Sequence, residues 1–108
     1  MESTIEQVGD LIVVTVKQDS LDARSAKDFR DDLDGVITDG TKILLDMSNV
    51  EFVDSAGLGT IVASLKRLRA SGGDITICCV HKTVRALFEL VRMHRLVEIY
   101  DTREEALA

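Results

Sequence analysis

The stretch Lys42-Ile43-Leu44-Leu45-Asp46-Met47-Ser48-Asn49-Val50-Glu51-Phe52-Val53-Asp54-Ser55-Ala56-Gly57-Leu58-Gly59 contains the change of hydrophobic period that sets the fold class. Lys42 to Asp46 is a short apolar run that ends in a carboxylate, the pattern of a central strand buried on both faces. After a connection from Met47 to Asp54, the period lengthens. Ile61, Val62, Leu65 and Leu68 make one stripe of a helix running from about Ala56 to Ala70.

Downstream, Ser71-Gly72-Gly73 is a turn, Asp74 to Val80 a strand, and Lys82 to Met93 a helix with Val84, Leu87, Phe88 and Val91 at i, i+3, i+4 and i+7. Leu96 to Tyr100 reads as a last strand before a short acidic helix near Thr102 to Leu107. Upstream, Leu11 to Val16 is a β-branched run, and Ile5 to Val8 is a partner joined to it by Gly9-Asp10. Between these and Lys42, Ala26, Phe29, Leu33, Val36 and Ile37 predict a helix over Ala23 to Thr38, with Asp22 as N-cap and Gly40 as stop. Strands and helices alternate, so the chain is α/β, with a mostly parallel or mixed sheet and about four helices packed on it. In such sheets functional groups gather at the carboxyl ends of the strands. Asp46, Asp54 and Ser55 fall near that edge.

The chain has 108 residues, enough for one domain with a real core, and 45% of them are apolar. A net charge of −6 argues against nucleic acid as a partner, because that binding draws on clustered Lys and Arg. No run approaches the roughly 18 apolar residues of a membrane span, and the Met1-Glu2-Ser3-Thr4 start has no signal-peptide character. A cytoplasmic protein is expected, a monomer when free. Cys78 and Cys79 are adjacent. On a regular strand they face opposite ways, a poor disulfide and a poor chelate, so neither a metal nor a cofactor is expected.

Ser55 stands where loop becomes helix. From the residues alone it is either a helix-capping serine or a hydroxyl presented to a partner. Gly57 and Gly59 each cost a helix about 0.8–1.0 kcal/mol relative to Ala, so close packing or a partner's approach must explain them. The string Asp54-Ser55-Ala56-Gly57-Leu58-Gly59, with the preceding Leu44 to Val53, closely resembles the signature of bacterial anti-sigma factor antagonists, single-domain members of the STAS family. Leu21-Asp22, Gly72-Gly73 and the closing Thr102 to Leu107 support the likeness, which runs along nearly the whole chain.

The resemblance implies a STAS domain over residues 1–108 that acts by binding and not as an enzyme. In such systems the unphosphorylated antagonist binds an anti-sigma factor that is also a serine kinase, freeing the sigma factor. Phosphorylation of the serine ends the interaction, and a metal-dependent phosphatase restores it. The implied phosphoacceptor is Ser55, and the implied partner surface comprises Asp22, Asp54, Ser55, Ala56, Gly57, Leu58 and Gly59. A different class remains beside it: an accessory STAS subunit that docks on a membrane transporter without phosphorylation.

Other features carry less. Asp46 could suggest a response-regulator acceptor, but Lys17-Gln18-Asp19 after the early strand offers no adjacent acidic pair, and no lysine follows Tyr100. Asp46 is instead expected to order the following loop through backbone N–H groups. His81 and His94 have no second ligand at metal spacing, and Gly57-Leu58-Gly59 lacks the lysine of a phosphate-binding loop. Lys66, Arg67 and Arg69 form either a solvated helix face or a surface for an acidic partner. Leu58 either packs inward with Ile61 and Leu65 or offers the partner an apolar contact.

Overall fold

Valine and isoleucine at Leu11–Thr15 and the Lys42–Asp46 run pair as neighbours in a five-stranded sheet. In the computed structural model, which describes residues 3–108, its strands are β1 (Thr4–Val8), β2 (Leu11–Thr15), β4 (Lys42–Asp46), β6 (Asp74–Cys78) and β7 (Ile99–Tyr100), in the order β1-β2-β4-β6-β7. β1 and β2 are an antiparallel hairpin whose turn places Gly9 at φ 60°, a torsion glycine adopts without strain. From β2 onward the sheet is parallel, and Thr15, Asp46, Cys78 and Tyr100 form one cross-strand row at its carboxyl edge.

Strand alternation divides the sheet into two faces. Val14, Ile43, Leu45, Ile75 and Ile77 enter the large core, against Phe29 and Leu33 of α1 (Ala26–Asp34), Ile61, Leu65 and Leu68 of α2 (Ser55–Ala70), and Val84 and Phe88 of α3 (Lys82–Leu90). Val13, Leu44 and Cys78 form a smaller cluster on the other face, beneath Ala106 and Leu107 of α4 (Arg103–Leu107). Burial on both faces explains why β2 and β4 carry unbroken apolar runs instead of alternating ones.

Several boundaries depart from the sequence expectation, each for a local reason. The first helix begins at Ala26, not Ala23, because Asp22 Oδ1 accepts the Arg24 and Ser25 N–H groups at 3.0 and 3.1 Å and holds a turn ahead of it. It ends at Asp34, well before Gly40. Val36 and Ile37 still pack on the core, but from a loop closed by the Thr38 N–H donating to Thr41 Oγ1 at 2.8 Å. β6 stops at Cys78 because Cys79 is left-handed (φ 65°), and α3 stops at Leu90, followed by the left-handed Arg92 (φ 57°) and a 3-10 turn at Met93–Arg95. Leu96 and Val97, expected to open the last strand, instead close that turn, their N–H groups donating to the Met93 carbonyl at 2.9 and 3.1 Å, and the strand shrinks to Ile99–Tyr100.

A second sheet was not foreseen. β3 (Ser20–Leu21) and β5 (Phe52–Val53) pair in parallel, inside segments that read as connections. Two residues are too few to show a period. Their pairing positions the site.

Candidate functional site

The β3–β5 ladder delivers the chain to α2. Leu21 pairs with Val53, and the Asp54 N–H donates to the Leu21 carbonyl at 3.0 Å. Continuing the same parallel register by one residue sets Asp22 alongside Asp54. The sequence reading of Ser55 as N-cap is corrected here: the cap is Asp54. Its Oδ1 accepts the Ala56 and Gly57 N–H groups at 2.9 and 3.1 Å. Ser55 is the first helical residue. It is exposed, and among the described residues its hydroxyl has no hydrogen-bond partner. One carboxylate does the capping, and one hydroxyl is left free.

The two nearby glycines differ in purpose. A Cβ on Gly57 would lie 2.7 Å from the Leu21 carbonyl carbon and 2.8 Å from its Cβ, so only a bare Cα lets α2 sit on β3. Gly59 meets nothing within 4 Å. It opens onto a groove of about 330 Å³ shared with Arg30 of α1 and with Ser55, Ala56, Thr60 and Ala63 of α2. Leu58 is partly buried against the large core, which favours inward packing over exposure. Phe52, which sequence reasoning passed over, is a large apolar side chain on β5, three residues before the serine in the chain, and is 50% exposed. The alternation signal that could have found it needs a strand longer than two residues.

Asp22 completes the acidic side. The Ser20 hydroxyl, then the Ser25 and Arg24 N–H groups and the Ser25 hydroxyl, outweigh the small effect of burial and hold its carboxyl below the ordinary range, so it stays charged. Arg67 and Arg69 are committed within the chain, to Asp34 at 2.5 Å and Asp74 at 3.0 Å, which leaves little of the free basic face considered from sequence. His81 Nε2 contacts the Ser48 carbonyl at 2.5 Å. Neither histidine hydrogen-bonds Ser55.

On the opposite face of the sheet, Asp46 does order its loop: Oδ1 accepts the Ser48 N–H at 2.9 Å. Sequence reasoning missed its second partner. Arg103, fifty-seven residues away at the start of α4, donates to Asp46 Oδ2 from Nε and Nη2 at 3.1 and 2.9 Å, and to Thr15 Oγ1 at 2.8 Å. Burial pushes the Asp46 carboxyl upward, but Ser48 and Arg103 together outweigh it and hold the group below the ordinary range. The folded state therefore keeps its carboxylate after the unfolded chain has taken up a proton. This contribution to stability is complete above about pH 4 and is lost as the pH falls through the lower folded value. Arg103→Ala is expected to cost about 1–3 kcal/mol at neutral pH, because Arg103 is itself one-third exposed. It should also flatten the acid limb of Tm against pH, as read by circular dichroism. An unchanged acid limb would assign that stability to other carboxylates.

The expectation that Cys78 and Cys79 face opposite ways is also corrected. The left-handed backbone of Cys79 breaks strand alternation, and both thiols lie on the α4 side with Asp46. Burial first, then hydrogen bonding to Cys79 and the nearby Asp46 charge, push the Cys78 thiol well above its ordinary range.

The order of strands, the helix pairing and the serine segment at the head of α2 set the terms for comparison with known proteins. The sequence model of the STAS domain family matches residues 2–106. The chain belongs to the STAS domain family. Among STAS relatives, the anti-sigma F factor antagonist of Paenibacillus polymyxa is 34% identical over 65 residues, which cover 60% of this chain and 56% of that protein. The chain thus spans little more than half of that relative's length. Two solved structures share the STAS fold. The Bacillus cell fate determinant SpoIIAA in its phosphorylated form has a TM-score of 0.68 at 22% identity, covering 97% of this chain and 96% of that one. The murine Solute Carrier 26 family member A9 anion transporter has a TM-score of 0.81 at 19% identity, covering 94% of this chain and 18% of that one. Among the described residues, no helix is long and apolar enough to cross a membrane.

Proposed function

We propose that this STAS protein is an anti-sigma factor antagonist whose hold on its partner is switched at Ser55. In this reading the unmodified surface formed by Asp22, Asp54, Ser55 to Gly59 and the neighbouring Phe52 binds an anti-sigma factor that is also a serine kinase. Phosphate transferred to Ser55 Oγ ends the contact, and a serine phosphatase restores it. The observation that carries the proposal is the division of labour at the head of α2. Asp54 satisfies the Ala56 and Gly57 N–H groups, so the exposed Ser55 hydroxyl is free to be modified without uncapping the helix. The name of the Paenibacillus relative and the phosphorylated SpoIIAA structure support the same reading.

The test is affinity capture from the native cell lysate with wild type, Ser55→Ala and Ser55→Asp. Retention of an ATP-binding kinase by the first two and its loss from the third is the expected result. Capture of one transporter subunit by all three would instead make this chain an accessory STAS subunit, the role to which the fold of the anion transporter points.

Phe52 supplies a separate check. An apolar ring half in water on the strand that leads into the serine's helix suits a partner's pocket. Phe52→Ala is expected to weaken partner binding at least ~10-fold, equivalent to about 1.4 kcal/mol, with Tm held. A lower Tm with unchanged binding would assign the ring to the domain's own packing.

A further inference from the structure

We propose that Cys78, Cys79 and Asp46 form a binding site for a thiophilic divalent cation of the Zn2+ class, on the face of the sheet opposite Ser55. Asp46 and Cys78 are register partners on β4 and β6, so their side chains leave the same face side by side. The left-handed turn at Cys79 then brings the second thiol back to them, and the three ligand atoms lie within 4.8 Å of one another. A tetrahedral zinc with Zn–S bonds of about 2.3 Å separates its sulfur ligands by about 3.7 Å, so only a small closure is needed. Two sulfurs and one oxygen select a borderline-soft ion over Mg2+ or Ca2+.

The charges also balance. Binding releases one proton from each thiol, and the ion's two positive charges meet two thiolates. The remaining negative charge of Asp46 is already matched by Arg103, whose bonds to Oδ2 hold the carboxylate in place as the outer partner of a ligand should. Cys78 is buried while Cys79 is only partly so, which leaves the Cys79 side for ion entry and for a solvent molecule as fourth ligand.

Cys79→Gly is the informative variant, because glycine suits the left-handed torsion and removes one ligand without asking the backbone to move. The reduced full chain is expected to bind one Cd2+ with a thiolate-to-metal charge-transfer band in the near ultraviolet, and one Zn2+ with release of two protons. Cys79→Gly should keep its fold and lose the Cd2+ band, and its Zn2+ affinity should fall at least ~100-fold. Asp46→Asn should keep the band but bind Zn2+ about 10–100-fold more weakly. Absence of the band in the wild type, or equal Zn2+ affinity in Cys79→Gly, would overturn the site. Full Zn2+ affinity in Asp46→Asn would overturn the assignment of the carboxylate as third ligand.

Discussion

Ser55→Asp, or phosphorylation of Ser55, is expected to weaken binding of the proposed anti-sigma partner by at least ~100-fold while leaving the Tm of the free protein nearly unchanged. The two halves of this expectation have different origins. Phosphorylation adds about −1.5 to −2 charge at neutral pH. In the free protein that charge sits in water on the first residue of α2, where a helix terminus favours an anion by about 0.3–1 kcal/mol. The helix does not lose its cap, because Asp54 holds it. In the proposed complex the same charge would be enclosed beside Asp54, which the continued β3–β5 register sets alongside Asp22, whose carboxyl is already held ionised. Enclosing an uncompensated charge costs several kcal/mol, and about 2.7 kcal/mol is a hundredfold. Isothermal titration of the purified partner against wild type, Ser55→Ala and Ser55→Asp would measure it, with Ser55→Ala expected within a few-fold of wild type. Tighter binding by Ser55→Asp would mean that the partner brings its own cation to this position. The switch would then run in the opposite sense.

The serine's environment shows where sequence reasoning succeeds and where it stops. The parallel sheet was legible because β2 and β4 are apolar runs and β6 alternates Ile75 and Ile77 with polar residues, and α2 because Ile61, Val62, Leu65 and Leu68 hold one stripe. Ser55 was placed at the head of that helix to within one residue. The remaining step, that Asp54 and not Ser55 accepts the backbone N–H groups, depends on torsions: Asp54 is extended (φ −105°, ψ −172°). Both residue types are good caps, so composition cannot choose between them. The β3–β5 pair was invisible because two-residue strands carry no period, and the Arg103–Asp46 pair because its members are fifty-seven residues apart. Cys79 is a different kind of miss. Alternation along a strand was a sound rule applied one residue too far, past the point where a left-handed torsion ends β6. A non-glycine residue pays about 1–3 kcal/mol for such a torsion, and such strain tends to cluster at functional positions.

Gly57→Ala is expected to destabilise the protein by about 3 kcal/mol, lowering Tm by roughly 10–20 °C, whereas Gly59→Ala two residues later should raise stability by up to about 1 kcal/mol. Helix propensity favours alanine at both positions by the same amount, so the difference in sign must come from packing. At Gly57 the new methyl meets the Leu21 carbonyl carbon at 2.7 Å, and this is strand backbone, which cannot rotate aside as a long side chain can. Relief requires α2 to lift off β3. That would stretch the Asp54 N–H bond to the Leu21 carbonyl and shift the Asp54–Ser55 corner. At Gly59 the methyl enters open space, so only the gain in propensity remains. Thermal unfolding of the two variants gives the signs directly. Partner titration then adds a second reading, because a more stable Gly59→Ala that binds less well would place the partner in the groove beside Ser55. Equal Tm values for Gly57→Ala and wild type would show that the α2–β3 contact yields more easily than backbone packing allows, and Gly57 would lose its role in fixing the serine's position.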